Sequence, residues 1–74
     1  MLNIEQARRA RGWSQAELSQ YSRISQQYIC EIERGVAWPV QDQRERLAAC
    51  LRVPVATLLD EVRVPEVELM EQVG

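Results

Sequence analysis

The sequence contains no histidine, no lysine and no phenylalanine, and it has only two cysteines among its 74 residues. Without histidine the chain lacks the commonest general base and the commonest metal ligand, and no cysteine–histidine cluster can form. We therefore expect no metal site, no cofactor and no enzymatic activity. The absence of lysine and phenylalanine is explained by GC-rich coding better than by any function.

Long hydrophobic runs are also missing. A membrane-spanning helix needs about 20 consecutive apolar residues, and the start of the chain, "MLNIEQARRARG", lacks the apolar stretch of a signal peptide. We expect a cytoplasmic protein without membrane contact.

The two cysteines, Cys30 and Cys50, lie in segments with helical patterns, which predicts free thiols rather than a disulfide. A chain of this length forms one small domain, with no room for a separate ligand-sensing domain, so no small-molecule ligand is expected.

The charge is unevenly distributed along the chain. The formal net charge of −2 combines eight arginines against six acidic residues in residues 1–58 with one arginine against five acidic residues in residues 59–74. The first part is thus mildly basic at +2 and the last part acidic at −4. We predict a domain over residues 1–61 followed by an acidic, apolar tail over residues 62–74.

Start and stop signals divide the domain into short helices. Asn3 with Gln6 and Ser14 with Glu17 have the spacing of capping boxes, and Ser25 has the position of a third N-cap. The predicted fold is all-α, a compact bundle of five helices over residues 3–11, 14–21, 25–34, 41–51 and 54–60. Because about three residues separate the second and third helices, the pair fits a helix-turn-helix.

The third predicted helix has two distinct faces. At 100° per residue, Ile29 and Ile32 define its buried side. The opposite side carries polar groups with a small thiol among them: Gln26, Gln27, Cys30, Glu31 and Arg34. Amides, a carboxylate and a guanidinium suit base edges in a DNA major groove. From this helix alone, a solvated face of ordinary helix formers is an equally good interpretation.

A resemblance decides between these two interpretations. The segment "RRARGWSQAELSQYSRISQQYICEIERG", followed by a proline and then "RLAACLRVPVATLL", resembles the Cro/Xre-type helix-turn-helix family of lambdoid phage repressors and small bacterial regulators. The resemblance extends over about residues 3–60 and is carried by the Arg-x-x-x-Gly-x-Ser-Gln opening, the Ser-Gln-Gln helix start and the Ile-Glu-Arg-Gly ending. It implies a bundle of five helices that binds operator DNA, usually as a two-fold dimer.

The resemblance also implies roles for individual residues. Gln26, Gln27 and Glu31 would contact bases. Contacts to the DNA backbone or flanking positions would come from five further residues: Gln15, Tyr28, Arg34, Arg23 and Arg44. Gln15 would in addition brace Gln26. Arg8 and Glu33 match a structural ion pair between the first and third helices, whose loss would cost a few kcal/mol if it is buried.

Two departures from the family pattern carry expectations of their own. Arg23 occupies the turn position usually held by glycine, which predicts a positive φ at a cost of roughly 1 kcal/mol. The loop "VAW" after Gly35 carries no charge, so we expect fewer phosphate contacts and a shallower salt dependence of binding. Trp38 in this loop is expected to fold back onto Val40 and Leu47, and otherwise to anchor a partner subunit.

The tail allows more than one structure. Val62 and Val64 alternate like a strand, whereas Val67, Met70 and Val73 would line one side of a short helix opened by Pro65. Candidate interface residues are Trp38, Val62, Val64, Val67 and Leu69.

Two functions follow as hypotheses. The first is a transcription regulator, a repressor that binds a palindromic operator in double-stranded DNA as a homodimer. The alternative is an antitoxin-like or anti-repressor-like module that binds a partner protein through the tail and Trp38.

Overall fold

A computed structural model describes residues 1–62 of the chain. These residues form four α-helices and one 3₁₀ turn: α1 (Asn3–Ala10), α2 (Gln15–Ser22), α3 (Gln26–Glu33), α4 (Gln41–Leu51) and Val55–Thr57. Within them the extended pairing consists of an isolated antiparallel bridge between Leu2 and Glu61. The all-α class and the first four predicted helices are therefore confirmed. None of the described helices is long and apolar enough to cross a membrane.

The fifth α-helix predicted over residues 54–60 does not form. The segment forms a single 3₁₀ turn over Val55–Thr57, closed by i to i+3 hydrogen bonds. Its carbonyl groups are used by the start of α1, because Asn3 donates from its side chain to Thr57 O (3.1 Å) and from its backbone to Asp60 O (2.7 Å). The predicted capping box of Asn3 with Gln6 is wrong for the same reason. Asn3 lies inside α1 after Leu2 and holds the end of the domain instead.

The end of the domain is fixed beside its beginning. Val62 N donates to Met1 O (2.9 Å), and the terminal ammonium of Met1 lies 2.8 Å from Glu61 Oε2. Val62, one of the candidate interface residues, thus takes part in the fold itself. Val64, Val67 and Leu69, predicted for the same interface, lie outside the described residues.

The remaining helix starts agree with their signals. Ser14 Oγ accepts from Glu17 N (3.0 Å), and Glu17 Oε1 accepts from Ser14 N (2.8 Å), which completes the predicted capping box at α2. Ser25 Oγ accepts from Tyr28 N (3.1 Å) at α3. Each bond satisfies a backbone group that the first turn of a helix leaves without a partner.

The core is built from aliphatic side chains of all four α-helices, with Ile24 from the turn before α3 and Leu58 from the segment after the 3₁₀ turn. Helix α3 contributes two of them, on one side only, and the set consists of Ile4, Leu18, Ile24, Ile29, Ile32, Leu47, Leu51 and Leu58. Burying one such side chain stabilises the fold by about 1.5–3 kcal/mol. Since both isoleucines of α3 belong to this set, the core determines which side of α3 is left on the surface.

Two arginines adopt the left-handed backbone conformation. Arg23, where the sequence predicts it, has φ 62°, and Arg52, which ends α4, has φ 57°. Gly12 and Gly35 reach the same region at φ 72° and 80°. For a residue with a Cβ atom this conformation costs roughly 1–2 kcal/mol.

Replacing Arg52 with glycine should therefore stabilise the domain. We expect the free energy of unfolding to rise by about 0.5–1 kcal/mol in urea denaturation, because glycine relieves the Cβ strain at some cost in unfolded-chain entropy. Arg52→Ala is the matched control, since alanine removes the side chain but keeps Cβ. An equal gain in both variants would show that the arginine side chain, and not the backbone conformation, is responsible.

Candidate nucleic-acid interface

Helix α3 presents a polar face opposite the core. Ile29 and Ile32 are completely buried. On the other side Gln26, Gln27 and Arg34 are exposed, and the two residues between them, Cys30 and Glu31, are partly exposed. The structure thus brings the predicted base-contacting groups together on one short helix. Two amides, a carboxylate and a guanidinium can each form hydrogen bonds with base edges or phosphates.

The turn before α3 sets the angle of that helix on α2. It consists of three residues, of which Arg23 is exposed in the left-handed conformation, Ile24 is buried and Ser25 caps α3. Ser19 Oγ donates to Ile24 O (2.5 Å) and so fastens the turn to α2. The cap and the buried Ile24 leave the first residues of α3 exposed in a defined orientation.

A buried network holds the other end of α3. Arg8 of α1 forms two hydrogen bonds with Glu33, from Nε to Oε2 (2.7 Å) and from Nη2 to Oε1 (3.0 Å), and a third from Nη1 to Trp13 O (2.7 Å). Gln15 of α2 donates from Nε2 to Glu33 Oε1 (2.9 Å). The hydrogen bond to Glu33 raises the pKa of the Arg8 guanidinium above its usual value. The network therefore joins α1, α2 and α3 through one carboxylate that pairs with a permanent cation.

The position of Gln15 differs from the prediction. Gln15 was expected to brace Gln26 at the start of α3, but its amide donates to Glu33 at the end of α3. The reason is that Glu33 is buried and its Oε1 atom accepts from Arg8 and Gln15 together, which satisfies a charge that water cannot reach. In the structure Gln15 thus helps to hold the last turn of α3.

An open depression of about 400 Å³ lies beside the exposed face of α3. It joins residues from the turn, from α3 and from α4, and its lining consists of Arg23, Ile24, Ser25, Gln27, Tyr28, Glu31 and Gln43. The sequence predicts no role for Gln43 beyond a place in the first turn of α4. In the structure Gln43 Oε1 accepts from Val40 N (3.0 Å).

Two residues that were predicted to contact the DNA backbone, Tyr28 and Arg44, form hydrogen bonds with the loop after α3. Tyr28 Oη donates to Trp38 O (2.7 Å), and Arg44 Nε donates to Pro39 O (3.0 Å). The expectation that Trp38 folds back onto Val40 and Leu47 is wrong. Trp38 is 63% exposed. Pro39 is buried in this part of the loop, and in an extended segment consecutive side chains point in opposite directions. The buried proline therefore directs Trp38 outward.

Arg46, the second arginine of α4, also has structural bonds. Arg46 Nη1 donates to Ser22 O (3.2 Å), and its Nε lies 3.2 Å from Asp42 Oδ2. Among residues 1–62, no group of histidine, cysteine or acidic side chains is arranged to hold a metal ion.

The comparisons with known proteins agree with this geometry. A profile of the helix-turn-helix family matches residues 4–58, which include all four α-helices apart from Asn3, the first residue of α1. Among solved structures, a chain of the SinR protein/SinI protein complex is 30% identical in sequence and superposes with a TM-score of 0.73. The alignment covers 99% of this chain and 78% of that one. A search of curated proteins finds no match.

The buried network yields a stability prediction. Glu33→Ala should lower the free energy of unfolding by about 3–5 kcal/mol in urea denaturation, since it leaves the Arg8 charge buried without its partner. Asp42→Ala is the control, because the Asp42 side chain is 76% exposed and lies 3.2 Å from Arg46 Nε, and its loss should cost less than about 1 kcal/mol. Equal small losses in both variants would show that the buried pair does not hold α3.

Proposed function

This chain belongs to the helix-turn-helix family of DNA-binding transcription regulators, and we propose that it is a repressor that binds a palindromic operator as a homodimer. The observation that carries the proposal is the polar face of α3. Gln26 and Gln27 are exposed at its leading end, and Glu31 and Arg34 follow along the same side. Of these, Gln26, Gln27 and Glu31 would read the operator from the major groove.

The chemistry of the face supports direct base contacts. A glutamine amide donates and accepts at once, which matches the N6 and N7 atoms of adenine. A carboxylate such as that of Glu31 accepts from cytosine N4. Cys30 between them has a small side chain, which permits a close approach of the helix to the bases. We assign Gln26, Gln27 and Glu31 to base contacts on this ground.

Contacts to the sugar–phosphate backbone are proposed for residues around this face. Arg23 is exposed in the turn and Arg34 at the end of α3, and both can reach a phosphate without giving up a side-chain hydrogen bond within residues 1–62. Arg44 and Gln15 each have one donor engaged in the fold, so their contribution would come from their remaining N–H groups. Tyr28 has a single O–H donor, which is bonded to Trp38 O, so a phosphate contact from Tyr28 would require that bond to break. Because few charges are available, we expect a shallow salt dependence.

A homodimer is proposed because one α3 reads too few base pairs to be selective. Two-fold pairing doubles the number of contacted bases and places half-sites about one helical turn, roughly 34–36 Å, apart. Each mismatched base pair typically costs about 1–3 kcal/mol, so specificity increases with the number of positions read.

A second candidate function is a module whose main role is to bind a partner protein through Trp38 and the tail. It is supported by the exposure of Trp38 and by the similarity to a chain from a complex of two different proteins, SinR and SinI. Deleting residues 63–74 separates the two functions. If the tail serves a partner, DNA binding survives and partner binding is lost, whereas a tail that holds the homodimer would lower DNA affinity and leave a monomer.

The proposed base contacts can be tested with Gln27→Ala on the motif recovered by selection from random DNA. We expect a palindromic motif, and a loss of about 1–3 kcal/mol on that motif with little change on unrelated DNA, because a base contact carries sequence information. Gln20→Ala is the matched control, since Gln20 is an exposed glutamine on α2.

Two results together would count against the proposal. One is the recovery of no palindromic motif by the wild-type protein. The other is binding by Gln27→Ala that equals the wild type and Gln20→Ala on every sequence.

A further inference from the structure

The segment that follows α3 exposes an apolar strip, which we define as Val36, Trp38 and Val40. The three side chains are 62%, 63% and 62% exposed. The residues between them face the protein, since Ala37 is partly buried and packs against the core and Pro39 is buried. Exposed and buried side chains thus alternate from Val36, in the bend that ends α3, to Val40, whose backbone is extended.

The strip is held in place by side chains of the neighbouring helices. Tyr28 Oη donates to Trp38 O, Arg44 Nε donates to Pro39 O, and Val40 N donates to Gln43 Oε1, all between 2.7 and 3.0 Å. Five consecutive residues would otherwise lose conformational entropy without compensation. The fold therefore uses polar groups of α3 and α4 to present apolar side chains to the surface.

We propose that the apolar strip is the two-fold contact with a second copy of this chain. In the assembly two strips lie antiparallel about an axis at Trp38, so that Val36 of one copy faces Val40 of the other. Because the strip starts directly after α3, the contact sets the distance between two recognition helices and hence the spacing of the operator half-sites. This inference rests on the proposed function and names the partner surface that the function requires.

The composition of the strip favours a second copy over DNA. Residues 35–41 carry no charge, so they cannot neutralise phosphates and would place a tryptophan against the most strongly hydrated part of the duplex. A two-fold contact requires a surface that is complementary to itself. An apolar strip meets this requirement. The flanking residues have opposite charges, Arg34 before the strip and Asp42 after it, and Asp42 lies 3.2 Å from Arg46 Nε of its own chain. An antiparallel arrangement therefore places no like charges against each other.

The size of the strip predicts the strength of the contact. One tryptophan and two valines offer roughly 300 Å² of apolar surface per copy, whereas a stable dimer buries about 800 Å² per partner. The contact is therefore weak by itself and becomes complete when two copies bind adjacent half-sites. A patch of this area is also at the lower end of what marks an interaction surface on a monomer.

The contact can be tested without DNA by sedimentation equilibrium of the full chain. We expect the wild-type protein to dimerise with a dissociation constant between about 10 μM and 1 mM, as weak interfaces do, and Trp38→Ser to weaken this at least about ten-fold. Tyr21→Ser is the control, because Tyr21 is 51% exposed on α2 and outside the strip. Val40→Ser provides a second strip variant, and circular dichroism verifies that each variant is folded.

A wild-type protein that stays monomeric up to about 1 mM, the weak limit of specific association, would overturn the proposal. Self-association unchanged in both strip variants would overturn it too. This DNA-free experiment shows whether the strip is the contact between two copies even if the chain binds no operator.

The second arm uses DNA probes that contain one selected half-site or two half-sites at varied spacing. We expect Trp38→Ser to bind the single half-site like the wild type, to lose at least about ten-fold on the double site and to lose the preference for one spacing, since cooperative contact between copies adds affinity only when both are bound. Equal losses on both probes would mean that the strip touches DNA, which would overturn the two-fold contact. Failure of the wild type to bind either probe would reject the proposed function and leave the DNA-free result to decide the contact.

Discussion

The carboxylate of Glu33 is the point on which the arrangement of the helices depends. Removing Glu33 and Arg8 from water costs several kcal/mol per ion, and only good geometry offsets this cost. Here the geometry is bidentate, at 2.7 and 3.0 Å, and Gln15 adds a third donor. Because Arg8 belongs to α1, Gln15 to α2 and Glu33 to α3, the three helices can satisfy this charge only in one relative orientation.

That orientation determines that the polar face of α3 lies on the surface. Helix α3 has eight residues, fewer than the roughly 12–15 that an isolated helix needs to be even marginally stable. It is helical because Ser25 caps its start, Ile29 and Ile32 pack in the core, and Glu33 is held at its end. Tertiary contacts use one side and both ends of the helix. The side that remains is available for an external partner and can vary chemically without a large effect on stability.

The sequence predicts the parts of this design that depend on neighbouring residues. The caps at Ser14 and Ser25, the four α-helices and the two faces of α3 arise from patterns a few residues apart, and the structure contains all of them. The errors concern contacts between distant segments. Asn3 bonds the chain near residue 60 and so replaces a fifth α-helix with a 3₁₀ turn, and the burial of Pro39 turns Trp38 outward. No local pattern predicts which distant carbonyl or cavity a side chain will find.

The bonds that the arginines form within the fold determine how much positive charge remains for the proposed phosphate contacts. Five of the eight arginines in residues 1–58 form side-chain bonds within the described part of the chain: Arg8, Arg9, Arg11, Arg44 and Arg46. Most of the positive charge therefore serves the fold, and Arg23 and Arg34 are what remains near α3. Affinity that depends on phosphate contacts scales with their number, so this surface can gain little from charge alone. Under the proposed function, tight binding would come from short-range contacts to bases and from the doubling of those contacts by a second copy, which would tie selectivity to the geometry between the two α3 helices.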